Sequence, residues 1–201
     1  NPFFTDYEAP YQIPPFEKIK EAHYLPAFTQ GMKEQLDEID VIAGNPESPT
    51  FENTIVELER TGKTLNKVAD VFFNLLSSNT NDEMDAIAAE ISPKLSAHSD
   101  AISLNKKLFN RVHEIFEQRN ELGLNTEQKR LVEETHKGFI RSGVQLDEPS
   151  MEKLTIINQE LSSLSVQFDQ NLLKETNEGF SLIVEDEKQL DGLPEDFINQ
   201  S

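Results

Sequence analysis

Apolar residues recur at three- and four-residue steps along most of this chain, the spacing that lines one face of an α-helix. Leu25, Phe28, Met32, Leu36 and Ile39 form the first stripe, with Pro26 early enough to belong to a first turn. They predict a helix from about Tyr24 to Ala43. Gly44-Asn45-Pro46 ends it, since Gly and Asn tolerate a left-handed cap and Pro cannot continue a helix. Phe51, Ile55, Leu58, Leu65, Val68, Phe72 and Leu76 predict a second, long helix running to about Ser78, with Gly62 filling the one missing apolar slot at a close approach. Ser48 and Thr50 are its candidate N-caps and Pro49 sits where a missing N–H costs little. Glu52, Glu57 and Glu59 put negative charge near the positive end.

A third stripe reads Met84, Ile87, Ile91, Leu95, His98 and Ile102, with Pro93 predicting a kink or a split into two shorter helices. Leu108, Val112, Ile115 and Phe116 carry the pattern to about Arg119, and Gly123 closes it. Asn125-Thr126-Glu127-Gln128 is a capping-box variant leading a shorter helix through Leu131, Thr135 and Phe139 to Gly143. The last long helix begins near Asp147 or Ser150. Its residues Leu154, Ile157, Leu161, Leu164, Phe168 and Leu172 make a near-heptad seam suited to an antiparallel helical neighbour.

The two ends break this pattern. Residues 1–22 mix aromatics with prolines and read as an extended arm and helix lead-in, whose aromatics need a surface to lie on, one that this chain need not contain. Phe180 to Glu185 alternates and is rich in β-branched residues, which predicts one short strand that must pair with chain outside this sequence. Asp191-Gly192-Leu193-Pro194-Glu195 starts a further helix that stops at Ser201. The expected fold class is all-α, a multi-helix bundle of long antiparallel helices. It divides into the arm (1–22), a helical domain (23–178) and the start of a following segment (179–201). The opening on Asn1 reads as processing or trimming, and the close as mid-structure.

Composition narrows the function classes. The 201 residues hold 37 acidic against 18 basic side chains, a formal charge of −19, with no run of Lys or Arg to reverse the field. Nucleic acid and anionic membrane surfaces are therefore not expected partners. Solubility explains the acidity most simply; a field favouring cationic peptides is the sharper alternative. No apolar run approaches the roughly 18 residues of a membrane span. The chain is expected to be soluble, in cytoplasm or periplasm with the cytoplasm favoured, and its lack of cysteine fits both.

Candidate catalytic groups are sparse. The four histidines are His23, His98, His113 and His136, and none stands four residues from another. His113 and Glu117 lie one turn apart, but zinc chemistry needs a third ligand and a general base; a solvated helix face next to Arg111 and Arg119 is the simpler reading. His98 reads as a core or helix-contact histidine, His23 as a helix-start residue and His136 as surface. Glu133-Glu134 and Asp82-Glu83 are pairs that any acidic helix surface supplies. No nucleophile elbow, P-loop or dinucleotide fingerprint occurs. No catalytic, cofactor-binding or metal-binding residue is assigned.

The ordered set P-T-F-E-N-T-I-x-x-L-E (Pro49–Glu59), Gly62-x-x-Leu65 and V-F-F-N-L (Val71–Leu75) resembles the N-terminal region of the thimet oligopeptidase family, within it the bacterial peptidyl-dipeptidase and oligopeptidase A branch. The likeness also takes in His23-Tyr24-Leu25-Pro26-Ala27-Phe28, Ser96–Ile102, Glu127–Leu131, Arg141-Ser142-Gly143 and Leu190-x-Gly192-Leu193-Pro194. It implies a parent zinc metallopeptidase that cleaves short oligopeptides, releasing C-terminal dipeptides. Its N-terminal helices would form one wall of a narrow channel, and zinc would be held by an H-E-x-x-H helix and a downstream Glu in the C-terminal part. Those ligands have no counterpart here, so the fragment alone is expected to be inactive. Its implied partners are the C-terminal catalytic part of the same polypeptide and the oligopeptide substrate. The competing class is a non-catalytic helical binding or scaffold module.

Overall fold

A computed structural model of the chain describes residues 1–179, 183–194 and 196. It is an all-α bundle: α1 (Tyr24–Ala43), α2 (Glu57–Arg60), α3 (Lys63–Ser78), α4 (Asp82–Ser103), α5 (Lys106–Gln118), α6 (Thr126–Arg141) and α7 (Glu148–Glu178). Two compact units divide it, Asn1–Val166 and Gln167–Ser201. The second holds the end of α7 and a short 3-10 turn, Glu187–Leu190, capped by the Asp186 carboxylate.

Most helices begin where a short polar side chain can satisfy otherwise orphaned N–H groups. Thr50 and Asn53 form a reciprocal capping box (3.0 and 2.8 Å), as do Asn125 and Gln128 (2.9 and 3.0 Å). Asn81, Asn105 and Asp147 cap α4, α5 and α7. Of the two expected caps at 48 and 50, Thr50 does the work. Gly44 ends α1 at φ −90°, so it stops the helix without the expected left-handed turn.

The first unit has two apolar clusters, and α1 feeds both. Its N-terminal half gives Tyr24, Ala27 and Phe28 to a cluster with Leu65, Val68 and Phe72 of α3 and Met84, Ile87 and Ile91 of α4. Its C-terminal half gives Ile39 and Ile42 to a cluster with Phe51, Ile55, Leu108, Val112, Ile115, Val132 and Phe139. α1 approaches α3 closely at Gly31: a Cβ there would stand 2.8 Å from the Leu65 backbone.

The expected second helix is broken. Residues Phe51–Val56 form a wide turn of π type, α2 follows for one turn, and the chain then leaves helical geometry at Thr61 and Gly62, whose φ is +74°. α1 imposes the break: the Glu38 carboxylate accepts the Gly62 N–H (2.8 Å) and the Gln35 amide donates to the Thr61 hydroxyl (3.2 Å). Gly62 is thus a left-handed turn between two helices, not a small residue inside one. Conversely, α4 runs through Pro93 without splitting. Pro93 forfeits one backbone bond, a cost of about 3 kcal/mol, while Met84, Ile87, Ala88, Ile91 and His98 stay buried on one face.

The N-terminal arm is a string of short turns that finds part of its surface within this chain. Phe3 is 1% exposed and packs on Tyr24 (5.5 Å between ring centroids), the Asn1 amide donates to the His23 carbonyl, and Lys67 lies 3.9 Å over the Tyr7 ring while donating to the Thr5 carbonyl. Tyr11, Ile13 and Phe16 stay exposed. Of the strand expected at 180–185, residues 180–182 lie outside the described set, and Ile183–Glu185 form no strand. With no paired strand among the described residues, β propensity there has no ladder to join. The helix expected from Asp191 falls mostly on residues outside the described set; Asp191–Gly192 is a turn.

Candidate functional site

Polar side chains come together at several places where helices are joined. The first is built around Arg111 on α5, which is only 7% exposed. Its Nε donates to the Thr54 hydroxyl (3.2 Å), one terminal nitrogen to the carbonyls of Asn45 and Glu47 (2.8 and 3.0 Å), and the other to Asn53 Oδ1 (3.0 Å). All four acceptors are neutral. The planar, branched guanidinium can meet them together where an ammonium could not. Asn53 Oδ1 also accepts the Thr50 N–H and the Thr54 hydroxyl (2.8 and 2.9 Å), while its amide donates to the Ser48 carbonyl (3.0 Å). The F-E-N-T segment therefore caps a helix and holds the 45–54 loop against α5. His113 and Glu117 do lie on an exposed helix face as expected, whereas Arg111, beside them in sequence, is a buried clamp.

The second place joins α1, α4 and the Thr61-Gly62 break through His98. Its Nε2 lies 2.7 Å from Gln35 Oε1, Gln35 Nε2 donates to the Thr61 hydroxyl, and that hydroxyl donates to the Leu58 carbonyl (2.9 Å). Because Thr61 spends its proton on Leu58, Gln35 must present Nε2 to it and Oε1 to His98. His98 accordingly carries its proton on Nε2. Its Nδ1 is buried with no partner among the described residues, and burial lowers its pKa. This chain of bonds ends on the Leu58 backbone carbonyl rather than on an accessible nucleophile, so it positions helices. The core reading of His98 stands.

Histidines 113 and 136 meet across α5 and α6. His113 Nδ1 lies 3.0 Å from His136 Nε2, and the His136 ring stacks parallel on Phe116 (3.9 Å, 5°). Arg119 covers Phe116 at 4.0 Å and pairs with Glu133 (3.2 Å). The surface reading of His136 is corrected: it is a half-buried helix contact, because Phe109 and Phe116 offer it ring faces. Burial first, then the charges of His113 and Arg119, lower its pKa against the opposing pull of Glu117. One of the two rings must be a neutral acceptor. No spacing rule within either helix reveals this pair, since it forms only when α5 and α6 fold together.

The other singled-out residues stay apart. His23 Nδ1 accepts the Lys20 N–H (3.0 Å), a helix-start contact. Glu134 takes hydrogen bonds from Lys137, which with Arg130 holds its carboxyl below the usual range. Among the described residues no group of three or more His, Asp or Glu side chains has the geometry to hold a metal ion, and no helix is long and apolar enough to cross a membrane. An open groove of about 420 Å³ runs beside Val41, Asn45, Glu57, Arg60 and Lys63, with charges of both signs at its rim.

No family model matches the chain. It is 40% identical over 198 residues to the dipeptidyl carboxypeptidase of Escherichia coli strain K12, covering 98% of this chain and 29% of that protein. The Salmonella typhimurium dipeptidyl carboxypeptidase is 40% identical over 193 residues, 96% of this chain and 28% of that protein. Oligopeptidase A of E. coli is 27% identical over 195 residues, 97% of this chain and 28% of that protein. The chain thus spans under a third of the length of these relatives. Identity of 40% carried across nearly all of its residues is consistent with an N-terminal fragment of a thimet oligopeptidase family member.

Proposed function

We propose that the chain is the N-terminal, channel-wall part of a peptidyl-dipeptidase-like zinc metallopeptidase that cleaves short oligopeptides and releases C-terminal dipeptides. The observation that carries this reading is the 40% identity to dipeptidyl carboxypeptidases over 96–98% of the chain. The buried and half-buried polar side chains support it too. Arg111, Asn53, Gln35 and His98 hydrogen-bond to one another or to backbone in ways that brace helices, the work a rigid wall needs.

In this mechanism the helices supply shape rather than chemistry. A rigid wall admits a peptide only in extended form, and the reacting bond is presented to groups contributed by the rest of the polypeptide. Zinc, held there by H-E-x-x-H and a further Glu, would activate water for attack on the peptide carbonyl. The gene offers a direct test. A reading frame that continues for several hundred codons and encodes H-E-x-x-H supports the proposal, whereas a stop codon after Ser201 returns the chain to the class of helical binding or scaffold modules.

A further inference from the structure

Helix α7 packs by a mixed, mainly polar face. Between residues 154 and 166 its half-buried positions are Leu154, Thr155, Asn158, Gln159, Ser162, Ser163 and Val166, the last against the apolar core, and the Asn158 amide reaches both oxygens of the buried Asp100 carboxylate on α4 (3.0 and 3.1 Å). The apolar stripe of the same helix faces away: Ile156, Ile157, Leu161 and Leu164 are 64, 58, 60 and 53% exposed. A surface helix ordinarily turns such a stripe inward. Here the Asn158–Asp100 contact and the packing of Val166 hold the other side of the helix against the bundle, and no described residue buries the stripe.

We propose that Ile156, Ile157, Leu161 and Leu164 form a docking surface for a helical segment of the polypeptide that follows residue 201 in the longer protein. The inference rests on the proposed function, which supplies that longer protein. Three observations select this occupant. The relatives carry more than twice as much chain again as this sequence covers, so a covering segment has ample length to come from. A segment in the same polypeptide meets α7 at high effective concentration, without the loss of freedom a separate partner incurs. A second copy is disfavoured because each chain carries a formal charge of −19, which opposes self-association. The i, i+4, i+7 spacing of Ile157, Leu161 and Leu164 suits a partner presenting apolar side chains at the same steps.

Hydroxyl-radical footprinting of the longer polypeptide and of the 201-residue chain, with sedimentation of both, tests this surface. The expected result is strong labelling of Ile157, Leu161 and Leu164 in the 201-residue chain and loss of that label in the monomeric longer polypeptide. Equal labelling in both overturns the proposal. Protection in the 201-residue chain that grows with concentration alongside a dimer assigns the face to a second copy and overturns it as well. Leu161→Glu and Leu164→Glu give a second readout: each is expected to lower the melting midpoint of the longer polypeptide and leave that of the 201-residue chain unchanged, and an unchanged midpoint in both contradicts the docking. Peptidase activity is read separately. An active enzyme with a labelled α7 removes only the docking surface, and an inactive protein with a protected α7 removes only the proposed function.

Discussion

A buried guanidinium whose four hydrogen-bond acceptors are all neutral depends on them, and they on it. Removing Arg111 leaves the Asn45 and Glu47 carbonyls, Thr54 and Asn53 without their shared donor. Arg111→Met is expected to lower stability by about 3 kcal/mol, on the scale of charge-assisted hydrogen bonds and unsatisfied buried groups. Arg111→Lys should recover little of it, because an ammonium cannot reproduce the fork. Urea denaturation checks both, and a loss well under 1 kcal/mol would contradict the clamp. The histidines make a second prediction at this scale. His98 and His136 both have folded pKa values held below the ordinary 6.5, burial being the leading cause. As pH falls below 6.5 the unfolded chain takes up protons that the folded chain refuses, so stability is full above 6.5 and declines as pH drops toward the folded values. The lowered carboxylates, Glu21, Glu34, Glu134 and Asp147, add their own loss only in the more acidic range below about 4.5. Following the imidazole resonances by NMR should show both rings titrating below a free histidine; a ring that titrates above it contradicts the environment described. Of these residues, His98 could be placed from its register with an apolar stripe. Arg111 could not, because nothing within α5 distinguishes an inward arginine from an outward one until the 45–54 loop lies over it.

At the scale of elements, two glycines carry distinct constraints. Gly62 turns at φ +74°, and a Cβ there would stand 2.5 Å from the Gln35 amide nitrogen. Gly62→Ala is expected to cost about 1–3 kcal/mol through backbone strain and to disturb the Gln35–His98 bond. Gly31 allows α1 to approach α3, and a Cβ there meets Leu65 backbone, which cannot swing away. Gly31→Ala should cost about 1–3 kcal/mol by overpacking. Thermal melts of the two variants check these values, and wild-type midpoints would contradict them. Helix existence was legible in the apolar periodicity and the caps, as at Asn125-x-x-Gln128 and Thr50. The break at Thr61-Gly62 was not, because the period continues from Leu58 to Leu65 across it and the bonds that force it come from α1. Pro93 misled in the opposite sense: its local cost is real, but the buried stripe on either side keeps α4 whole.

At the scale of the whole molecule, α1 ties together two apolar clusters that otherwise belong to separate sets of helices. Such an arrangement couples the two clusters through one helix, as the proposed channel wall requires. The likeness to these peptidases was legible in the order of the motifs, and F-E-N-T turns out to combine a cap with the Arg111 clamp. The outward stripe of α7 was legible only in part, since a near-heptad seam announces a neighbour without saying which side of the helix this bundle already occupies. The most direct test is cleavage of an oligopeptide with a free C-terminus by the longer polypeptide and by the 201-residue chain, each with zinc and with a chelator. Zinc-dependent dipeptide release by the longer polypeptide alone is the expected result, and zinc-dependent release by the 201-residue chain would contradict the assignment.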